Sequence, residues 1–300
     1  MKTKKLSSEM NEKDILTHLG AKSASPASYD KSLLERVPRS INRNQYGITG
    51  KEFTGVDIWH HYEVSCLTTY GLPVSGVMKI AVSASSEYIV ESKSLKLYFN
   101  SFNMERLADT SLLSIERMKQ RVRADLSELL EAEVYLQFFD NDTLLSDSSL
   151  QGFSCIDNLE GVERLSFTDF NENPALLKPK QGRGRSQTLM SHLLRSNCKV
   201  THQPDWGSIY IHINGNRHID EHSLLRYLVS FRNENHFHEE ICEMVYKRLF
   251  DLLVPDRLML ACLYTRRGGI DICPLRSTHE DLLPDLFTDI DNLYKLPMRL

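Results

Sequence analysis

The apolar positions in the first part of the chain change period twice, from that of a strand to that of a helix and back. Residues 76–84 alternate between apolar and small or polar side chains, which predicts a strand, and residues 134–139 predict another. The predicted order is therefore strand, helix, helix, strand. The two stripes between the strands have the spacing of amphipathic helices: Leu95, Tyr98, Phe99 and Phe102, then Ile115, Met118, Val122, Leu126 and Leu129.

The first of these helices is predicted to follow directly on a strand. Ser92 or Ser94 can cap its start, because a serine hydroxyl accepts a hydrogen bond from a free backbone N–H. Glu91 then lies at the strand-to-helix junction, where free N–H groups and the positive end of the helix dipole gather.

The second half of the sequence repeats the first. Residues 220–231 can be laid over residues 91–102 without a gap, and the apolar stripe of the helix recurs. An internal repeat of this kind predicts two copies of one structural unit. The matching residues are Ser94 and Ser223, Leu95 and Leu224, Tyr98 and Tyr227, Ser101 and Ser230, and Phe102 and Phe231.

Strands are predicted on both sides of the second repeat. A strand pair hinged at Asn214-Gly215 precedes it, since that dipeptide favours a hairpin turn. A second helix follows, and residues 258–264 and 269–273 then predict a hairpin. Each half has two strands, two helices and two strands, which predicts an α+β fold of two units with joined antiparallel sheets. The stripe of the second helix is Ile241, Met244, Val245, Leu249 and Leu252.

Composition narrows the class of protein. The chain has 300 residues, a hydrophobic content of 41% and a formal net charge of −4, so no global basic field favours nucleic-acid binding. The first twenty residues lack the apolar core of a signal peptide, and no apolar run approaches the length of a membrane span. The six cysteines are scattered without a CxxC pair. We therefore expect a cytoplasmic protein from a reducing compartment.

Two polar segments divide the chain. Residues 140–149 are acidic and serine-rich, which predicts a solvated loop. Residues 178–185 are basic and rich in proline and glycine, which favours a flexible connection over a phosphate or RNA contact. The predicted divisions are a flexible lead at 1–32, a first unit at 33–175, a linker at 176–190 and a second unit at 191–300.

A cysteine in a polar, turn-rich segment is the first candidate for chemistry. Cys198 lies in such a segment, whereas free cysteine is ordinarily a small core residue. Asp205 follows seven residues later and leads into the predicted strand 209–213. A thiol can attack carbon, and a nearby acid can supply the proton that the attacked group then needs. The alternative is a half-buried cysteine beside a turn aspartate.

The two halves carry different polar residues, which predicts one site at their junction. Only the first half has the Glu-Ser-Lys-Ser entry to its helix, and only the second has Cys198, Asp205 and the cluster 235–240. His238 and Glu239 in that cluster can alternatively serve only to cap a helix. Cys198 and His202, with His238, can alternatively bind a metal, although a single C-x3-H is weak evidence for zinc.

Five segments together resemble a known family, the NADPH-dependent 7-cyano-7-deazaguanine reductases, which are the nitrile reductases of the queuosine pathway. The resemblance extends over about Val37 to Pro274 and is to the two-module form, built from two tandem tunnelling-fold (T-fold) units. The acidic loop and the basic linker show no family pattern. The segments, in family order, are 91–98, 196–198, 203–205, 237–239 and 264–269.

The resemblance implies a covalent mechanism. Cys198 would add to the nitrile carbon and form a thioimide, and Asp205 would protonate the nitrogen as that bond forms. His238 would lie beside the reacting nitrile and steer cofactor or proton. The base itself would bind through Val90, Glu91, Ser92, His238 and Glu239, with the two glutamates accepting hydrogen bonds from its N–H edge.

The resemblance also implies two NADPH molecules per nitrile, used in turn, and no metal. No glycine-rich dinucleotide fingerprint follows any predicted strand, so the cofactor is expected in the cleft itself. Cationic side chains and backbone amides suit its phosphates. The residues implied to hold it are Ser92, Lys93, Arg267 and Gly268.

The expected partners are a small deazapurine substrate and a second copy of the chain in a homodimer, with no direct nucleic-acid or membrane contact. A competing hypothesis is a purine- or pterin-binding T-fold enzyme without redox chemistry, which would share the anchoring glutamate but not need both Cys198 and Asp205. A third is a non-catalytic partner in RNA modification, in which Cys198 would have no role.

Overall fold

A computed structural model describes residues 26, 28–146, 152–182 and 186–295. Most of the predicted flexible lead, residues 1–25 and 27, lies outside these ranges. The strands are β1 (Arg36–Pro38), β2 (Thr54–Thr68), β3 (Pro73–Ser83), β4 (Tyr88–Val90), β5 (Arg106–Ala108), β6 (Val134–Phe139), β7 (Ser154–Cys155), β8 (Pro179–Gln181), β9 (Gln187–Cys198), β10 (Pro204–Asn214), β11 (Arg217–Ile219), β12 (Asn235–His236), β13 (Arg257–Tyr264) and β14 (Ile270–Ser277). The helices are α1 (Ser40–Tyr46), α2 (Ser92–Asn100), α3 (Ser111–Leu130), α4 (Glu221–Val229), α5 (His238–Leu253) and α6 (Asp285–Thr288).

One sheet runs through both halves of the protein, in the order β12-β9-β10-β13-β14-β2-β3-β6. The long strands pair antiparallel, and only the short strands β5, β7 and β12 pair parallel with a long neighbour. The two halves join where β14 pairs with β2, from Ile270 opposite His61 to Ser277 opposite Thr54. The prediction of an α+β fold with two joined units is confirmed.

The helices of both units cover the same face of this sheet. In the first unit Tyr98 and Met118, on α2 and α3, pack with Met78 and Ile80 of β3. In the second unit α4 and α5 pack in the same way on β10 and β13. The opposite face carries a smaller apolar cluster that is covered by Phe287 and Tyr294, near the end of the described chain. The predicted helical stripes are therefore the helix-to-sheet contacts.

The repeat is visible in individual hydrogen bonds as well as in the sequence. The hydroxyl of Ser94 donates to the Glu91 carbonyl at 2.7 Å and accepts from the Glu35 N–H. The hydroxyl of Ser223 likewise donates to the Asp220 carbonyl at 2.7 Å and accepts from the Lys178 N–H. Each serine therefore joins the start of its helix to a segment that lies more than forty residues earlier in the chain.

The prediction of two strands after the helices is wrong for the first unit, as far as the structure describes it. Only β6 follows α3 there. The next strand, β7, pairs with β9 of the second unit. Residues 147–151 of the predicted acidic loop lie outside the described ranges. The halves are therefore less alike in their sheets than in their helices.

The predicted hairpin at Asn214-Gly215 is also wrong. The chain does turn there, but the next strand, β11, pairs with β8. It cannot pair with β10, because β9 occupies one edge of β10 and β13 the other. The hairpin partner of β10 is β9, across a turn at residues 199–203. Hydrogen-bonding edges that are already occupied override a local turn signal.

The structure describes part of the basic segment. Residues 179–181 form β8, and Lys180 pairs with Glu221 at the start of α4. Residues 183–185 lie outside the described ranges. These contacts attach residues 178–181 to the second unit, although the domain limits themselves stay a prediction. Within the described chain, no helix combines the length and the apolar character needed to cross a bilayer.

Candidate active site at the junction of the two units

A cavity of about 470 Å³ opens between the two units, within the usual range for small-molecule sites. The first unit contributes the end of β4 and the start of α2. The second contributes the β9–β10 turn, the start of α5 and the loop between β13 and β14. All the residues implied by the resemblance line this cavity: Val90, Glu91, Ser92, Lys93, Cys198, Asp205, His238, Glu239, Arg267 and Gly268.

Glu91 caps α2, and the prediction that Ser92 or Ser94 would do so is wrong. The Glu91 carboxylate accepts from the N–H groups of Lys93 at 3.0 Å and Ser94 at 2.7 Å. The Glu91 side chain is longer than that of serine and reaches the N–H groups of the first turn. The Ser94 hydroxyl already donates to the Glu91 carbonyl. Burial raises the pKa of Glu91. Oε1 also accepts from the Ser92 hydroxyl at 3.4 Å, whereas Oε2 keeps a second lone pair for a ligand.

Cys198 and Asp205 are brought together by the β9–β10 hairpin. Cys198 ends β9, half-buried, and its N–H donates to the Gln203 carbonyl at 2.8 Å. Asp205 pairs with Ser196 across the hairpin, so it lies diagonally opposite Cys198 on the same face of the sheet. Diagonal neighbours of this kind have Cβ atoms within about 7–8 Å of each other. The polar turn thus places a thiol and a carboxylate on one wall.

Asp205 has two partners, both from the second unit. The Arg267 guanidinium forms an ion pair with one carboxylate oxygen, and Nε2 of His238 lies 3.3 Å from the other. The His238 ring stacks on Tyr264, with ring centroids 3.8 Å apart. Burial lowers the pKa of His238 to about 4, so the imidazole is neutral near pH 7. Asp205 is thus held between a cation and a neutral proton carrier.

Glu239 is buried with one carboxylate oxygen, Oε1, lacking a hydrogen-bond partner. Burial and then the nearby charge of Asp57 raise the pKa of Glu239 to about 7. Glu240, not Glu239, caps the helix, since it accepts from the Phe237 N–H at 3.0 Å. Glu239 also lies in the first turn of α5, and its Oε1, which lacks a partner, is available to a ligand.

The loop between β13 and β14 needs glycine. Gly268 and Gly269 both have positive φ, at 56° and 78°, where other residues are strained. A Cβ on Gly269 would lie 2.5 Å from the Glu63 side chain. This loop places Arg267 at the wall of the cavity. Lys93 and Lys96 lie across from it, so three cationic side chains border one end of the cavity.

The alternative metal site at Cys198 does not form. His202 is exposed and bonds to the Asn235 side chain at 2.8 Å. Across the described ranges, Cys198, His202 and His238 are not among the groups whose ligand atoms converge.

Sequence reasoning missed several residues of the cavity wall. Lys96 was detectable, because it lies one helical turn after Lys93 and therefore shares its face. His236, which bonds to Glu234 and Glu240 at 3.2 Å each, lay in the polar cluster but was given no role. The other missed residues are Trp59, Thr201, Gln203, Phe237, Ile270 and Ile272.

Fold and cavity together define a two-unit α+β protein with a cysteine, an aspartate and two buried glutamates around one ligand site. Two family models match it. One, described as nitrile reductase, 7-cyano-7-deazaguanine-reductase N-term, matches residues 25–138, and the other, described as QueF-like protein, matches residues 204–282. The chain belongs to the QueF-type nitrile reductases, in their two-module form. Cys198 lies between the two matched segments.

One solved structure is similar in part. The crystal structure of the archaeosine synthase QueF-Like in the apo form matches 33% of this chain and 95% of that chain, at 11% sequence identity and a TM-score of 0.28. A likeness of that degree bears on neither the fold nor the function of this chain.

Proposed function

We propose that the protein reduces the nitrile of 7-cyano-7-deazaguanine to the primary amine of 7-aminomethyl-7-deazaguanine, with NADPH, in queuosine biosynthesis. The observation that carries this is the meeting of Cys198 and Asp205 with the free carboxylate oxygen of Glu239 in one cavity. A base anchored on Glu239 would present a substituent to the Cys198 thiol in the same cavity. The family match gives the substrate class.

The deazapurine would be held between the two units. Glu91 from the first unit and Glu239 from the second would accept hydrogen bonds from its N–H edge, as ionised carboxylates do well. Val90 and Ser92 would border the same edge. Since both carboxylates are buried, a ligand that lacks these donors would leave them unpaired. This arrangement favours a guanine-like edge over a neutral apolar ring.

Asp205 would move the proton during thiol addition. Asp205, which pairs with Arg267, would take the proton of the Cys198 thiol. The sulfur then bonds to the nitrile carbon, one π bond of the nitrile opens, and Asp205 returns the proton to the nitrogen. The product is a neutral thioimide, and His238, next to Asp205, would orient that proton. No charge remains on the nitrogen at the end of this step.

NADPH, when bound, would supply one hydride to the thioimide and, as a second molecule, another to the imine released from the cysteine. Lys93, Lys96 and Arg267, with Ser92 and the amides at Gly268, would hold its phosphates, because guanidinium and ammonium groups pair with phosphate oxygens. Arg267 would then have two competing partners, Asp205 and the cofactor. Withdrawal of Arg267 from Asp205 on cofactor binding would favour the protonated carboxyl.

We expect the enzyme to work in the cytoplasm as a homodimer on a free base, without contact with nucleic acid. A T-fold enzyme that binds a purine or pterin without redox chemistry is the competing function. It is the weaker candidate because it would leave the pairing of Cys198 with Asp205 unused.

The proposal is tested by mixing protein, NADPH and the nitrile base and measuring both nicotinamide oxidation and the amine formed. We expect two NADPH consumed per amine. A protein that binds the base but oxidises no NADPH would instead be the non-redox enzyme.

Replacement of Glu239 by glutamine should weaken binding of the nitrile base by about 5- to 150-fold, the equivalent of about 1–3 kcal/mol for a lost acceptor. Since the pKa of Glu239 is about 7, wild-type affinity should fall as the pH drops below 7 and the acceptor becomes protonated. Calorimetry at pH 6 and pH 8 measures both effects. An equally strong pH dependence in Glu239→Gln would mean that another group, such as His236, is responsible.

A further inference from the structure

The face of the sheet that points away from the cavity carries a second cluster of reactive side chains. His60 on β2 lies directly opposite Asp271 on β14, and Cys273, two residues further along β14, projects to the same side. All three are at most 1% exposed. Their possible ligand atoms lie within 4.8 Å of one another, and this is the one such group in the described ranges.

The distances in the cluster are close to those of a tetrahedral metal site. Zinc bonds of about 2.0–2.3 Å imply about 3.3 Å between nitrogen and oxygen ligands and about 3.5 Å between sulfur and oxygen ligands. Here Sγ of Cys273 lies 3.8 Å from Oδ1 of Asp271, and Nδ1 of His60 lies 2.6 Å from the same oxygen. To hold the ion, the His60–Asp271 pair would open by several tenths of an ångström, and the Cys273–Asp271 pair would close slightly.

Three buried polar atoms at the cluster lack a hydrogen-bond partner of good geometry: Nε2 of His60, Oδ2 of Asp271 and the hydroxyl of Tyr294. Tyr62 lies close to Asp271, and Cys273 lies close to the Tyr294 hydroxyl. A buried polar group costs about 1–3 kcal/mol if it stays unpaired. The Tyr294 ring packs edge-on against His60, with centroids 5.3 Å apart. A bound metal ion would give the Asp271 oxygen and the Tyr294 hydroxyl a strong partner.

We propose that His60, Asp271 and Cys273 bind a zinc-class divalent cation. Thiolate, imidazole and carboxylate together suit zinc or cobalt and not magnesium or calcium, which prefer oxygen ligands. The fourth position is left for water or the Tyr294 hydroxyl. The site departs from the expectation that the protein uses no metal. Sequence spacing could not indicate it, because His60 and Asp271 are 211 positions apart.

The role of this ion is structural. It would join β2 of the first unit to β14 of the second at the seam of the sheet. Ile270 and Ile272, which alternate with Asp271 along β14, face the catalytic cavity. The ion would therefore hold the strand that forms the back wall of that cavity. Its presence does not depend on which reaction the cavity carries out.

Cobalt binding tests the proposal, because a thiolate bound to Co²⁺ gives a near-ultraviolet charge-transfer band that other ligands do not. Metal-free, reduced protein titrated with Co²⁺ should show this band and reach saturation at one ion per chain. The band should be lost in Cys273→Ser. It should persist in Cys66→Ser, a fully buried cysteine of β2 outside the cluster, and in Cys198→Ala.

A wild-type protein that shows no band, and contains no zinc by elemental mass spectrometry after purification without chelator, would overturn the proposal. So would a band that survives in Cys273→Ser or disappears in Cys198→Ala. If Cys273→Ser does not fold, as judged by circular dichroism, His60→Asn takes its place and should bind Co²⁺ at least tenfold more weakly while keeping the thiolate. The Co²⁺ titration of the wild-type protein tests the proposal even if neither variant folds.

Discussion

Replacement of Cys198 by alanine should lower turnover by about 10⁴-fold or more, the range seen when a catalytic nucleophile is removed. Without the sulfur no thioimide forms, and the nitrile carbon has no covalent route to reduction. Binding of the base should stay within a few-fold of wild type, because Glu91 and Glu239 do not depend on sulfur. Steady-state NADPH oxidation and calorimetry of base binding measure the two effects separately.

Cys155 is the matched control for that variant. Like Cys198, Cys155 is half-buried and forms no disulfide, but it lies on β7, outside the cavity. Cys155→Ala should retain nearly full turnover. Loss of turnover in Cys155→Ala, or its survival in Cys198→Ala, would mean that the nucleophile has been assigned to the wrong residue.

Replacement of Asp205 by asparagine should lower turnover by about 10²–10⁴-fold, the usual contribution of a positioned acid or base. Asparagine keeps the shape of the side chain but can neither take the thiol proton nor return it to the nitrogen. It also removes the charge that pairs with Arg267. Base affinity should change little, so the loss should appear in the rate of adduct formation.

That rate can be followed by stopping a mixture of protein and nitrile base at successive times and measuring the adduct. A variant that forms the adduct at nearly the wild-type rate would assign the proton transfer to His238 or water.

The spacing of apolar residues predicted the helices well, because the buried face of a helix is determined by residues that are close together in the sequence. The stripes at Leu95 and Leu224 face the sheet whatever the rest of the fold does, since residues three and four apart share a helix face. The aligned serines, Ser94 and Ser223, make the same hydrogen bonds in both units. An internal repeat therefore predicted local geometry as well as fold class.

Features that depend on several segments at once were beyond the sequence. Serine is the favoured helix cap, yet the longer Glu91 side chain caps α2 because the Ser94 hydroxyl bonds to the preceding segment. Asn214-Gly215 is a strong hairpin signal, but β10 has no free edge for the strand that follows. Both errors concern partners that lie far away along the chain.

The site was predictable only in part for the same reason. The motifs that resemble the family identified its residues, and those residues share one cavity. The pairing of Arg267 with Asp205 had no sequence signal, because the two are 62 positions apart. That pairing bears on the mechanism, since it places a cation beside the carboxyl group proposed to take the thiol proton. The contacts among the predicted residues are thus what the structure adds.

The central claim is that the base becomes covalently attached to Cys198 and is released by reduction. Intact-protein mass spectrometry after mixing with the nitrile base alone measures the first part directly, and peptide mapping locates the attachment. The predicted result is a gain of one base per chain on the peptide with Cys198, which disappears when NADPH is added and the amine appears. An unmodified protein that still oxidises NADPH with this base, or an adduct on any other cysteine, would contradict it.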